Sequence, residues 1–260
     1  MSVLVLQSDK SYDRTHWKWQ CLASVQSWAE ARGYHYRFLD DSFYSILEPK
    51  AVQKLQTHPA HKVILSDLAR LEWIKRYLSQ GYGSVIWLDA DFLVFDQEHF
   101  DPISYADTRS EGYLLGRECW FDLDAKGQEK LWRKVHNAFL LFRTAGKIFL
   151  DFYLDTAYRL ILIQKGNQIP PQFVGPKLLS ALNNIAHCPV YEHAGALSPY
   201  VLEAMCYQNT PTSNEHLKRL HSFKHGLKHT FYGANLSASV ASSELDTSSL
   251  LAIYRSTFAH

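Results

Sequence analysis

The chain has 260 residues, of which 47% are hydrophobic and 20% charged, and its net charge is +1. Such a composition supports a packed core and excludes wholesale disorder, and the near-neutral balance excludes the strongly basic footprint of a nucleic-acid binder. The length fits one large α/β domain, 1–260, or one domain with a small appendage, and the stretch 125–260 reads as added, mostly helical elements with a C-terminal flap.

Val3-Leu4-Val5-Leu6 is a short apolar run bounded by Gln7-Ser8-Asp9 and reads as a first buried strand. The same run meets Gln7 too soon to be a signal segment, and no uninterrupted apolar stretch approaches the ~20 residues that span a bilayer. Trp17 to Arg32 reads as a helix stopped by Gly33, and Tyr34 to Leu39 as a second strand ending in Asp40-Asp41. Strand, helix, strand at this scale predicts a βαβ unit and a parallel sheet.

Ser66 is the expected N-cap of the next helix, with Asp67 in its first turn and Leu68, Leu71, Ile74 and Leu78 on its apolar stripe before Gly81. Ser84 to Asp91 reads as an apolar strand broken by two acids, and Glu111 to Gly116 as another strand. Gln128 to Gln164 reads as mostly helical with a break near Gly146. Pro170-Pro171 ends it, and Gly175-Pro176 opens a further helix with proline in its first turn. The Ser-rich segment Ser237 to Ser249 fits a tail or a closing flap. Cys21, Cys119, Cys188 and Cys206 match no zinc or redox spacing and read as reduced core thiols of a cytoplasmic protein, with peripheral membrane association left open.

The chemistry centres on Asp89 and Asp91. Asp-x-Asp alone is a weak signal: the chain has a second, Asp122-Leu123-Asp124, amid Lys, Gln and Glu, which reads as a solvated loop. Asp89 and Asp91 differ because they end an apolar strand, where alternation would project both to one face at the ligand-binding edge of an α/β sheet. Two like charges in a crevice are relieved by a divalent cation, and hard oxygen ligands suit Mg²⁺ or Mn²⁺ with positions left for diphosphate oxygens. Asp67 and Arg70 share a helix face at i, i+3, a spacing that by itself fits a surface ion pair.

Ser66-Asp67-Leu68-Ala69-Arg70 followed by Trp87-Leu88-Asp89-Ala90-Asp91 resembles the glycosyltransferases with a sugar-binding DXD region, a group related to the yeast-type initiating mannosyltransferases and to the cores of clostridial glucosylating toxins. His136-Asn137-Ala138-Phe139, Gly175-Pro176-Lys177-Leu178-Leu179 and Gly233-Ala234-Asn235-Leu236-Ser237 resemble later segments of that family, in the same order. The resemblance implies a GT-A-type, Rossmann-like nucleotide-sugar-binding fold with a mostly parallel sheet flanked by helices. It implies a nucleoside-diphosphate-sugar donor, an acceptor hydroxyl on a glycan, lipid-linked saccharide or protein, and retention at the anomeric carbon. Carried over, Asp89 contacts the donor ribose or sugar, Asp91 binds the metal, and Asp67 and Arg70 hold the donor sugar and its phosphate, with Asn137 near the transferred sugar. Val174 stands where the family often has Thr, and no Trp follows in the C-terminal segment. His221 or His225 is the candidate to complete the metal site, and Lys228 to meet the diphosphate, although a His-Lys cluster also fits a solvated basic face. The alternatives are a sugar nucleotidyltransferase, which should carry a Gly-rich loop where this chain has Gln7-Ser8-Asp9-Lys10, and a degenerate carbohydrate-binding protein.

Overall fold

The computed structural model describes residues 2–10, 14, 16–164, 169–206 and 213–236, apart from the side chains of Asp41, Cys206 and Ser213. The elements in chain order are β1 (Val3–Ser8), α1 (Trp17–Ala31), β2 (His35–Leu39), α2 (Pro49–Leu55), α3 (His61–Ser79), β3 (Ser84–Leu88), β4 (Phe92–Val94), α4 (Pro102–Asp107) and β5 (Tyr113–Leu123). There follow β6 (Glu129–Arg143), α5 (Lys147–Ile163), α6 (Pro176–Ala186), β7 (Val190–Tyr191), β8 (Ala194–Ala196), α7 (Pro199–Cys206), α8 (Ser213–Gly226) and β9 (Gly233–Asn235).

Among the described residues six strands form one sheet in the order β2-β1-β3-β6-β5-β7. The pairs β1–β2, β1–β3 and β5–β7 are parallel, and both pairs made by β6 are antiparallel. Five strands therefore share one direction and β6 alone is reversed. The expected α/β class with a mostly parallel sheet flanked by helices is the observed one. Alternation along the strands buries both faces. Leu4, Leu6, Val85 and Trp87 pack with α3 and α5, whereas Val3, Val5, Ile86 and Leu88 pack with α1 and its Trp28. A second, three-stranded sheet, β4-β9-β8, sits over a third cluster that includes Leu220 and Phe223 of α8.

The first strand, the first helix with its Gly33 stop, the second strand and the Gly175-Pro176 helix opening all fall where expected. Three expectations need correction. Ser66 is not an N-cap: α3 begins at His61, because Ile64 and Leu65 are buried and extend the apolar stripe back by a turn. Ser66 sits inside the helix, its hydroxyl donating back to the Lys62 carbonyl. Residues 129–143 are not helical but form the long strand β6. The stretch Val135 to Phe142, apolar except at His136 and Asn137, is buried on both faces, and periodicity cannot separate such a strand from a buried helix. A tight hairpin reverses the chain there, with Gly127 at φ +73° and Asp124 Oδ1 accepting from the Lys126 and Gln128 amides. Finally, β3 stops at Leu88, so Asp89 and Asp91 lie in the turn after the strand rather than on it.

Cys21, Cys119 and Cys188 are free and buried, as expected of core thiols. Among the described residues no helix is long and apolar enough to cross a membrane. The segment Ser237 to Ser249 lies outside the described residues.

Candidate functional site

The carboxyl ends of β1, β2 and β3 open onto a cleft of about 550 Å³. Ser8 and Asp9 line it from the end of β1, Asp40 from the end of β2, and Asp89 and Asp91 from the end of β3. Its opposite wall is α3, through Lys62, Ser66 and Arg70. Ligands bind at this edge of an open α/β sheet because the strand ends and the following turns leave a crevice there.

The turn carrying the acid pair is fastened on several sides. The Phe92 amide donates to the Asp89 carbonyl at 2.9 Å, and the Asp89 amide donates to the Ala138 carbonyl of β6 at 2.9 Å. Buried Gln7 donates to the same Asp89 carbonyl at 3.0 Å and is itself oriented by the Tyr36 hydroxyl. Asp91 Oδ1 accepts from Asn235 Nδ2 at 2.6 Å, and the Asp91 carbonyl accepts from the Leu236 amide. Asn235 has no role in the sequence reading, which saw only the Gly233-Ala234-Asn235 resemblance. Its role follows from β9 pairing antiparallel with β4, which brings Asn235 beside Phe92 and thus beside Asp91.

Arg70 is the hub behind the turn. Its Nη1 lies 2.9 Å from Asp89 Oδ1 and donates to the Asn137 carbonyl at 2.8 Å. Its Nη2 lies 3.2 Å from Asp67 Oδ1, and its guanidinium sits over the Trp87 ring at 5.4 Å. Asp67 Oδ1 also accepts from Asn137 Nδ2 at 2.7 Å. Asn137 can reach inward because β6 bulges: Leu115 pairs with Leu140 but Gly116 with His136, leaving three residues of β6 without partners on β5. Gly116 is part of the same device, since a Cβ there would collide with the His136 ring at 2.3 Å. Motifs far apart in the chain, Asp67-Leu68-Ala69-Arg70, Asp89, Asn137 and Gly175, thus converge in one network.

Burial and charge oppose each other here. Burial pushes the Asp67 carboxyl up to about 6, against the pull of Arg70 and the Asn137 hydrogen bond. Burial pulls Arg70 down, but Asp89 and Asp67 more than offset it and hold the guanidinium above its ordinary value. A carboxyl raised in the folded state costs nothing while it is protonated in both states, and it costs stability as pH rises through the window in which the unfolded chain ionises and the folded form does not. The difference in unfolding free energy between the native protein and Asp67→Asn should therefore fall as pH rises from about 4 to about 6, then level off. Urea titrations of both proteins across that range measure it, and parallel curves would deny Asp67 the raised carboxyl.

Asp67 Oδ2 is buried without a hydrogen-bond partner and occupies the space where residue 175 would carry a side chain. A Cβ on Gly175 would lie 2.3 Å from Asp67 Oδ2 and 2.8 Å from Asn137 Nδ2. The φ of Gly175 is −91°, so the requirement for glycine is one of contact rather than of backbone conformation. Gly175→Ala should destabilise the fold by about 1–3 kcal/mol, as overpacking does, and should weaken the hold on Arg70; a denaturation midpoint equal to the native one would refute this.

Of the expected site residues, Arg70, Asp89 and Asp91 line the cleft. Asp67 and Asn137 are buried behind Arg70 and do not. His221, His225 and Lys228 are not brought to this cleft. Helix α8 buries Leu220 and Phe223 and leaves His221 and His225 on its exposed face, and His221 lines a different cleft with Glu129, Tyr200 and Glu215. Lys228 is exposed beyond the helix. The Asp122–Asp124 pair ends the β5–β6 hairpin, away from both strand ends that form the site.

The donor set fits a hard divalent cation only in part supplied by protein. Both side-chain contacts of Asp89 use Oδ1, which leaves Oδ2 for a cation. Among the described residues no group of three or more His, Cys, Asp or Glu side chains could hold a metal ion. A cation on this turn would complete its shell with phosphate oxygens and water, which is the habit of Mg²⁺ and Mn²⁺.

No family model and no curated protein matches the chain. Among solved structures it is similar to a glycosyltransferase involved in the glycosylation of the major capsid of PBCV-1, at 14% identity and a TM-score of 0.46, over 97% of this chain and 99% of that one. It is also similar to mouse xyloside xylosyltransferase 1 in its apo form, at 9% identity and a TM-score of 0.40, over 93% of this chain and 99% of that one. At this distance only the site's own geometry bears on function.

Proposed function

We propose that the chain is a metal-dependent glycosyltransferase that moves a sugar from a nucleoside-diphosphate sugar to an acceptor hydroxyl on a glycan, lipid-linked saccharide or protein, with retention at the anomeric carbon. The observation that carries this reading is the meeting of a buried cation, Arg70, and an acid pair, Asp89 and Asp91, at one cleft on the carboxyl edge of the sheet. A diphosphate needs its charge neutralised, and this cleft offers an arginine together with an acid pair that could hold a cation. A Mg²⁺ or Mn²⁺ ion held by Asp89 and Asp91 would supply positive charge against the departing diphosphate.

The protein's own groups do the rest. Arg70 holds fixed positive charge at the cleft, and its contacts with Asp67 and with the Asn137 carbonyl keep the guanidinium from turning away. In the transfer, the bond from the anomeric carbon to the diphosphate oxygen breaks and passes through an oxocarbenium-like state. The acceptor oxygen then bonds to that carbon on the same face, and its proton goes to an oxygen of the leaving phosphate. A sugar nucleotidyltransferase reading lacks support, because Gln7-Ser8-Asp9-Lys10 closes β1 without a glycine.

The test is a donor screen by nucleotide release with UDP- and GDP-sugars, with Mn²⁺ and with a chelator. Manganese-dependent release from at least one donor is expected. Donor binding with no release and no transfer to any acceptor would leave a binding protein in place of an enzyme.

A further inference from the structure

The cleft also carries an aromatic side chain, Tyr44, that the transfer chemistry does not use. Tyr44 belongs to the short 3-10 turn Asp41–Ile46 that follows β2, and it lines the cleft. Its side chain is 40% exposed, although most aromatic rings of this protein are buried. It is nevertheless held: its hydroxyl lies 2.9 Å from Ser66 Oγ on α3, and Ser66 Oγ in turn donates to the Lys62 carbonyl. An exposed ring pinned at its tip loses little freedom when something stacks on it.

The ring is also at a definite place relative to Arg70. Arg70 lies over Trp87 at 5.4 Å, Trp87 stacks on Phe43 at 5.4 Å, and Phe43 meets Tyr44 edge-on at 5.1 Å. A row of rings thus leads from the charged end of the cleft to Tyr44. Asp9 and Asp40 line the same cleft and are hydrogen-bond acceptors. Asp9 is paired with Lys18 at 2.8 Å, and Asp40 accepts from the Ser42 amide at 3.0 Å. A ligand that carries phosphates, donor hydroxyls and a flat ring matches this set of groups.

We propose that Tyr44 is the stacking platform for the nucleobase of a nucleoside diphosphate, with the ribose hydroxyls facing Asp9 and Asp40. This deepens the transferase reading and rests on its placement of the diphosphate at Arg70. Tyr44 recognises the flat face of the base rather than its edge, so it contributes affinity to purine and pyrimidine nucleotides alike.

Calorimetry with Mn²⁺ present, using UDP, GDP and inorganic pyrophosphate as probes, tests it on the whole chain. Tyr44→Ala should weaken UDP and GDP by about tenfold or more, the range expected for loss of one base–aromatic stack, and should leave pyrophosphate unchanged. Tyr44→Phe keeps the ring and loses only the Ser66 contact, so it should bind nucleotides within about threefold of the native protein. Unchanged pyrophosphate binding in Tyr44→Ala also certifies that the variant is folded. If Tyr44→Ala binds UDP and GDP as the native protein does, the base lies elsewhere and the platform is refuted while the transferase reading stands. If its loss appears only with an intact sugar nucleotide and not with UDP or GDP, Tyr44 faces the sugar and the platform is again refuted. If the native protein binds none of the three probes, both the platform and the reading beneath it fall.

Discussion

Arg70→Met should cost the protein both stability and donor affinity. The substitution keeps much of the side-chain volume but removes the charge between Asp67 and Asp89 and the donors to the Asn137 carbonyl. Breaking a buried pair from one side leaves an uncompensated carboxylate, which costs about 3–5 kcal/mol. Asp67 escapes part of that by taking a proton, for burial already holds its carboxyl near 6. The denaturation midpoint should fall accordingly. Nucleoside diphosphate affinity should fall by about a hundredfold, since truncating one side of a buried charged contact costs about 2–5 kcal/mol. Arg70→Lys restores charge without the fork, so it should recover part of the stability and little of the affinity. A folded Arg70→Met protein with native nucleotide affinity would place the phosphates away from Arg70.

Asp91→Asn should do the reverse and spare the fold. Asp91 Oδ1 accepts from Asn235 Nδ2, and an asparagine oxygen can accept the same bond. What the substitution removes is the formal charge that a hard cation needs. Metal-dependent nucleotide release should drop by about 10³-fold, corresponding to about 4 kcal/mol of lost stabilisation of the leaving diphosphate. Asp122→Asn, on the outlying acid pair, should release nucleotide at the native rate. Equal rates for Asp91→Asn and the native protein would end the metal-dependent scheme, because among the described residues no other Asp-x-Asp pair lines the cleft.

Local signals carried the beginning of the chain well. Val3 to Leu6, the helix stopped by Gly33 and the strand ending at Asp40 are short segments whose neighbours in sequence decide their state. The signals failed where burial on both faces erased the pattern. Val135 to Phe142 is buried at every position and carries no period-2 alternation, so the same residues satisfy a helix or a central strand, and only the Asp124–Gly127 hairpin and its partners settle it as β6. Ser66 misled for a related reason: a good capping residue was present, but the apolar stripe ran on past it to Ile64.

The site divides in the same manner. Asp89 and Asp91 could be singled out because an acid pair closing a buried strand is chemically costly unless it is used. By spacing alone Asp67 and Arg70 read as an ordinary i, i+3 pair, and only the resemblance gave them a donor-holding role; the fold buries them and sets Asp89 and Asn137 against the guanidinium. Asn235 entered only as part of a resembling segment and with no role, since its contact with Asp91 spans 144 residues and depends on β9 closing onto β4. The exposed face of α8 keeps His221 and His225 from the cleft, which their residue types alone could not reveal.

The sequence by itself determined the α/β class, the first βαβ unit and the acid pair, because these depend on the spacing of residues close together in the chain. Only the tertiary structure decided the reversed strand, the Asp67–Arg70–Asn137 network and the residues that face the cleft. Those depend on which distant segments share a buried space, and the energy of a desolvated charge or a missing Cβ exists only once that space has formed.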